Sequence, residues 1–391
     1  METIKEKVGK INKLLLRSET ITHGFYGGSL GLLFYYFYAG KNLQDEKLTQ
    51  KANELLEKVF EDMNENTGGL SGIALSSGGA GLTAIVNYLQ KNNFIEFDTD
   101  EEFKEIDKFL FDNALLLIDQ DNVDHLHGPL GVILYFTKRN QTVIINSYLN
   151  ILVEKLLSKA VHTDFGIWYK NSTWSERDLD NKIDFGLAHG LTGILLILIQ
   201  AYPYLFDKKA CEIVIREGIN FIVKHELPVN FEEGDYSFFP SSFDKDDINI
   251  TRLNRLAWCY GDLNEVLLFY RAGNLFNDKR YIAIANRIGL KSVERKSEIS
   301  TLSVNTHFCH GSSGLAQFYK AIFYETNNNI YKQAYQYWVE DTVSRIDKEI
   351  ENDIYFKNNV SFLEGWAGVA HVLLDSLNFN VKSEWAGLFL L

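Results

Sequence analysis

Two kinds of hydrophobic segment alternate along this chain. The first is amphipathic: in Glu101–Asp119, Phe103, Ile106, Leu110, Ala114 and Leu117 share one helical face, with charges opposite. Thr142–Ala160, Asp207–Glu226 and Tyr331–Ile350 follow the same pattern. The second kind is apolar nearly all round, as in Gly193-Ile-Leu-Leu-Ile-Leu-Ile-Gln and Gly131-Val-Ile-Leu-Tyr-Phe, which predicts helices enclosed by other helices. A Gly-x-x-Gly signature opens each apolar run, at Gly28–Gly31, Gly78–Gly81, Gly128–Gly131, Gly190–Gly193, Gly311–Gly314 and Gly365–Gly368. A seventh copy begins at Gly261 and carries Asn264 where its second glycine should be. The first glycines follow one another at 50, 50, 62, 71, 50 and 54 residues, a regularity that marks a structural repeat.

Each repeat therefore reads as an outer amphipathic helix, a loop and an inner buried helix. An open stack of such hairpins needs polar end caps, yet the last copy, Glu364-Gly-Trp-Ala-Gly-Val-Ala-His-Val-Leu-Leu, is as apolar as the others. Closure is favoured: an all-α fold, an α/α toroid of seven helical hairpins with inner and outer rings, forming a single domain over residues 1–391. In that geometry the glycines let seven inner helices crowd toward the axis, and Asn264 shifts one of them. The intervals of 62 and 71 residues leave slack for loops and too little for a further domain. One such loop, Asp164–Asp184 with Trp168 and Trp174, reads as peptide-facing or as an ordinary connection.

Composition narrows the class. Four prolines in 391 residues suit long helices. A net charge of −13 argues against nucleic acid, which is bound chiefly through excess Lys and Arg. The stretch from Met1 to Lys13 is polar and lysine-bearing with no long apolar core after it, so no signal peptide is expected. The longest apolar run, Gly193 to Phe206, falls short of the ~20 residues that span a membrane. Three cysteines cannot build a disulfide framework, so a cytoplasmic, reducing location is expected.

Rotational equivalence then singles out chemistry. The residues just before the first glycines are Gly27, Ser77, His127, His189, Tyr260, His310 and Glu364. Several are acid–base or ligand types, which a purely apolar core does not demand. A polar site is expected where the inner helices begin, and their N-termini favour anions there. Cys259 and Cys309 occupy the same place in successive repeats, and His310 adjoins the second. Two thiolates and an imidazole suit zinc and leave one position open, as catalytic sites require. Cys211, on an outer helix, reads as a buried thiol. His125 and His127 raise the option of a second metal.

Asn-Arg-Leu-Ala-Trp-Cys-Tyr-Gly (254–261), Thr-His-Phe-Cys-His-Gly-Ser-Ser-Gly-Leu (306–315), Leu-Ala-His-Gly-Leu-Thr-Gly (187–193) and Phe-Leu-Glu-Gly-Trp-Ala-Gly (362–368) resemble the LanC-like lanthionine cyclase family. The resemblance runs from about residue 21 to the end. It implies an α/α toroid with one Zn2+ per chain held by Cys259, Cys309 and His310. It also implies closure of thioether rings by Michael addition of peptide cysteines to dehydroalanine or dehydrobutyrine. His189 matches the catalytic histidine and Asp124 its partner. Arg255, Trp258 and Tyr260 match residues that line the site, and His127 and Glu364 are expected to meet substrate. The implied partners are a dehydrated precursor peptide and the dehydratase and transporter of its pathway, with peripheral membrane association through such a complex. Addition of glutathione to dehydroamino acids and a non-catalytic peptide-binding scaffold are the alternative roles.

Overall fold

Helix starts divide into two chemical types, and the division sorts the helices into two rings. A computed structural model describes residues 2–20, 22–65, 69–173, 182–244, 250–355 and 359–391. Five amphipathic helices begin at a side-chain cap: Asp45, Thr142, Asp207, Asp278 and Asn328 each accept from a main-chain N–H of the first turn. With Glu2–Leu15 and Lys104–Asp119 they make the outer ring of seven among the described residues, the five being Glu46–Asn64, Val143–Leu157, Lys208–Lys224, Lys279–Ser292 and Asn329–Glu351.

The inner ring is Ser29–Leu43, Gly79–Lys91, Leu130–Lys138, Leu191–Ala201, Leu263–Phe276, Ser312–Thr326 and Trp366–Ser376. Five of these start on the first glycine of the signature, with no side-chain cap. Each inner helix packs on the next, and Trp366–Ser376 packs back on Ser29–Leu43, which closes the ring. Lys7 and Lys10 add ion pairs from the first outer helix to Asp347 of the last, at 2.5 and 3.0 Å. The α/α toroid expected from the repeat is therefore the observed fold.

The glycines work differently from the expectation. A Cβ on the second glycine would strike the carbonyl of the loop that leads into its own helix: Phe25 O at 2.2 Å from Gly31, Leu187 O at 2.0 Å from Gly193, Phe308 O at 1.8 Å from Gly314. Contact with the neighbouring repeat is looser at Gly81, 3.2 Å to Phe25 Cβ, and tighter at Gly131, 2.6 Å to Leu75 Cβ against 3.0 Å to its own loop carbonyl of His125. The loop folds over its own helix, and this close approach requires glycine at Gly31, Gly193 and Gly314, while crowding between repeats dominates at Gly131. Asn264 meets the same constraint by bonding: its Nδ2 donates to the carbonyls of Ala257 and Trp258 at 3.3 and 3.1 Å.

The long intervals hold short strands: the hairpin Val161–Thr163 with Gly166–Trp168, and a sheet of Lys182–Asp184, Ser242–Asp244 and Ile250–Thr251. Two or three residues are too few to show a period-two pattern. Trp168 is buried, and its strand packs on Lys208–Lys224, so it does not face a peptide. Trp174 lies outside the described residues.

The last residues fill the ring. In the turn Glu384–Phe389, the Phe389 ring lies 4.9 Å from Phe308, 4.9 Å from Phe362 and 5.3 Å from Phe25. Asp375 ties this plug to the inner ring. It accepts from Lys320 Nζ (2.6 Å), Ser383 Oγ (2.7 Å), Trp385 Nε1 (3.1 Å) and Tyr38 OH (3.2 Å). Asp375→Ala leaves the buried Lys320 ammonium without its counter-charge, and should cost about 3–5 kcal/mol. Denaturant unfolding checks this, and adding Lys320→Met should recover much of the loss.

Candidate metal centre

In every repeat, four buried residues precede the first glycine's neighbour, which is itself half-buried or exposed. This burial pattern sets the site. The exposed places, from Gly27 round to Glu364, rim one end of the ring. The residue before each is buried, and there stand Cys259 and Cys309.

Main-chain bonds between repeats hold the buried places together. Tyr26 N donates to Ser76 O, Ser76 N to Leu126 O, Cys309 N to Leu363 O and Phe362 N to Tyr26 O, at 2.8–3.2 Å. Trp258 N donates to Cys309 O at 3.0 Å, and Leu187 N to Cys259 O at 3.0 Å. The two cysteine loops are thus fastened to one another, and the loop of His189 is fastened to that of Cys259.

Cys259 Sγ, Cys309 Sγ and a ring nitrogen of His310 lie within 4.8 Å of one another. His310 Nε2 is 3.3 Å from Cys309 Sγ. The two buried thiols push each other's titration in opposite directions. Cys309 donates to Cys259, which with His310 and Arg255 pulls the Cys259 thiol down to about 5. Cys309 is pushed up by the same pairing and by burial. One thiolate forms readily and the second only with a cation beside it. A divalent ion supplies that charge, so these residues fit zinc. His307 backs the cluster: burial, His310 and Arg255 push it down to about 3, and its Nδ1 accepts the His310 main-chain N–H at 3.1 Å.

Across the rim, His189 Nδ1 lies 2.7 Å from Asp124 Oδ2. Asp124 is fully buried, and its other oxygen accepts from Leu126 N and His127 N at 2.8 and 2.7 Å. Burial alone would raise this carboxyl, but the bonds from His189 and His127 hold it below the usual carboxylate range. An ionised Asp124 takes the Nδ1 proton and leaves Nε2 of His189 as the exchangeable position. Asn171 Nδ2 steadies the pair by donating to His189 O at 3.1 Å.

The remaining expected residues divide. Tyr260 donates its hydroxyl to Asp184 Oδ2 at 2.8 Å. Burial and that carboxylate push the phenol well up, so it stays neutral. Arg255 sits close enough to act on both thiols, its buried Nε has no partner, and among the described residues no carboxylate lies within ion-pair distance of it. Glu364 is exposed beside Cys309. His127 is exposed, with Nδ1 2.9 Å from Ser76 Oγ and its ring stacked 5.7 Å from His189.

Trp258 does not line an open site. It is 0% exposed, and its Nε1 donates to Phe389 O at 2.9 Å, because its place in the loop points down to the plug. His125 occupies the same buried place one layer below the rim, and both its nitrogens lack partners. Burial pushes it down to about 3. Among the described residues neither His125 nor His127 joins a cluster of three ligand side chains, so no second metal centre forms there.

Two neighbours of the site escaped the sequence reading. Asp184 comes from the inserted sheet, where no repeat position marks it. Tyr26 shares the register of Cys259 and Cys309, a signal that was legible. Its hydroxyl is buried without a partner and close enough to Cys309 and Asp124 to feel both charges.

Comparison with known proteins agrees with this geometry. Lanthionine synthetase C-like protein is the family description matched by residues 21–390. The nisin biosynthesis protein NisC of Lactococcus lactis subsp. lactis is 25% identical over 377 residues, covering 89% of this chain and 85% of that protein. The solved structure of a nisin cyclase superposes with a TM-score of 0.77 at 19% identity, covering 100% of this chain and 96% of that one, and shares its fold. A match from residue 21 to residue 390, on a closed double ring of helices with two cysteines and a histidine gathered at its rim, establishes that the chain belongs to the lanthionine synthetase C-like family.

Proposed function

We propose that this protein is a zinc-dependent cyclase that closes thioether rings in a dehydrated precursor peptide. The observation that carries the reading is the gathering of Cys259, Cys309 and His310 beside a histidine held by a buried carboxylate. Those three side chains would hold zinc and leave a position for a substrate thiol, whose pKa the bound metal lowers so that thiolate is available at neutral pH. The family name and the nisin relatives support the same substrate class.

The chain's own residues supply the rest. The sulfur of the peptide cysteine bonds to the β-carbon of dehydroalanine or dehydrobutyrine. The π pair moves onto the carbonyl oxygen as an enolate, and the α-carbon then needs a proton. His189 gives it from Nε2, while Asp124 keeps the Nδ1 proton in place and stabilises the charged ring. Arg255, with no carboxylate to neutralise it among the described residues, faces the enolate oxygen. Tyr260 has committed its proton to Asp184, so it orients the substrate through its ring and oxygen lone pairs. His127 and Glu364 contact the peptide at the rim. A dehydratase must act first, because serine and threonine offer no electrophilic carbon; a transporter of the same pathway completes the partners. Among the described residues no helix is long and apolar enough to cross a membrane, which fits peripheral association through the complex.

Metal analysis of freshly purified protein should find about one zinc per chain, and Cys259→Ala or Cys309→Ala should abolish it. Protein with no zinc, prepared without chelators, would refute the reading. In a cyclisation assay on a dehydrated Cys-containing peptide, alkylatable thiols should disappear at unchanged mass. His189→Ala should slow that loss by about 10²–10⁴-fold with zinc retained. Asp124→Asn removes the charge that fixes the imidazole, and should also slow the reaction without releasing zinc. Unimpaired cyclisation in both variants would point to a scaffold. Consumption of glutathione in preference to the peptide's own thiol would move the role to intermolecular addition.

A further inference from the structure

The opposite end of the ring, where the inner helices terminate, holds a cavity of about 710 Å³, within the size range of small-molecule sites. The last turns of Gly79–Lys91, Leu130–Lys138, Leu191–Ala201 and Leu263–Phe276 wall it, together with the C-terminal plug. Lys91, Lys138, Arg271 and Lys382 line it, in a chain whose acidic residues outnumber its basic ones by 52 to 39.

Helix C-termini attract cations, and that accounts for part of this set. Lys91 donates to the carbonyl of Lys138 at the end of the adjacent helix. Arg271 is spoken for by Glu325 at 2.9 Å and by the Leu390 carbonyl at 2.6 Å. Lys138 is not accounted for. Among the described residues its Nζ bonds only to the neutral Oε1 of Gln200, at 2.6 Å. Among the described residues no carboxylate comes within ion-pair distance of Lys138 or of Lys382, although Glu384 also lines the cavity. Burial, and then the charges of Arg271, Lys382 and Lys91, push the Lys138 ammonium down to about 8. Positive charge is held there at a cost: Glu325 is taken up by Arg271, and Glu384 lines the open volume without reaching either lysine.

We propose that this cavity binds a phosphate-bearing small molecule, its phosphate seated against Lys138 and Lys382. Phosphate fits because several acceptor oxygens on one compact dianion satisfy two ammonium groups at once, and lysine binds it as a point charge. Tyr88 and Tyr204 offer aromatic walls, and Asn87 and Asn92 offer amides, for the remainder of such a molecule. The site lies at the far end of the ring from Cys259 and Cys309, so it stands independently of the cyclase reading.

Calorimetric titration of the full chain with pyrophosphate and with adenosine monophosphate tests this, with sedimentation on phosphatidylglycerol vesicles as a parallel arm. Saturable binding of a soluble probe is expected in the unaltered protein and in Cys309→Ala, which lacks the metal cluster. Lys138→Met and Lys382→Met should each weaken it at least about tenfold, and Lys138→Arg should retain it. Lys382 is exposed, so its variant keeps the test valid if Lys138→Met fails to fold. No saturable binding of either soluble probe, equal affinity in the lysine variants, loss in Cys309→Ala alone, or binding to vesicles only would overturn the proposal.

Discussion

The site depends on a run of main-chain hydrogen bonds that passes from loop to loop around the ring. At six of the seven junctions the acceptor is the carbonyl two residues before the first glycine: Tyr26, Ser76, Leu126, Cys259, Cys309 and Leu363. Each bond contributes only about 0.5–1.5 kcal/mol net. Their larger effect is geometric. Buried loops must satisfy their own N–H and C=O groups, and here they do so through the next repeat. The backbone thus fixes where the two cysteines stand relative to one another.

The seventh junction is the exception, and it is where acid–base chemistry enters. Leu126 N does not reach the Ala188 carbonyl, because Asp124 Oδ1 takes its proton. The link between the third and fourth repeats is made by side chains instead, Asp124 Oδ2 to His189 Nδ1. A carboxylate inserted into an otherwise regular hydrogen-bond ring thus both closes the ring and fixes a tautomer. Its burial is tolerated because four donors converge on it, from Leu126 N, His127 N, His189 Nδ1 and Asn171 Nδ2.

Repetition made most of this legible in the chain. Gly-x-x-Gly at near-constant spacing located seven inner helices, since a close approach of loop to helix recurs at a fixed offset. Equal offsets in two repeats brought Cys259 and Cys309 together. Features that occur once left no such trace. Trp258 lies one residue from a metal-binding cysteine, yet the loop's alternation turns it toward Phe389, and the plug that receives it belongs to no repeat. Asp184 reaches Tyr260 from a strand too short to carry a pattern. The glycines were located by their spacing, but crowding between repeats explains only part of them, because at most of them the tightest contact is internal to the loop.

The two ends of the ring follow from one property of parallel inner helices. All seven present N-termini to the rim that holds the cysteines and C-termini to the plug. The rim is therefore biased toward negative charge, which favours the thiolate of Cys259, while Cys309 stays protonated beside it. The other end is biased toward positive charge, and lysines and an arginine have collected there. A closed ring cannot reverse one helix without breaking the loop-to-loop bonds, so the polarity is built into the architecture. Local side chains then decide how far each end departs from that bias: Arg255, with no carboxylate partner among the described residues, reinforces it at the rim, and Glu325 offsets it beneath.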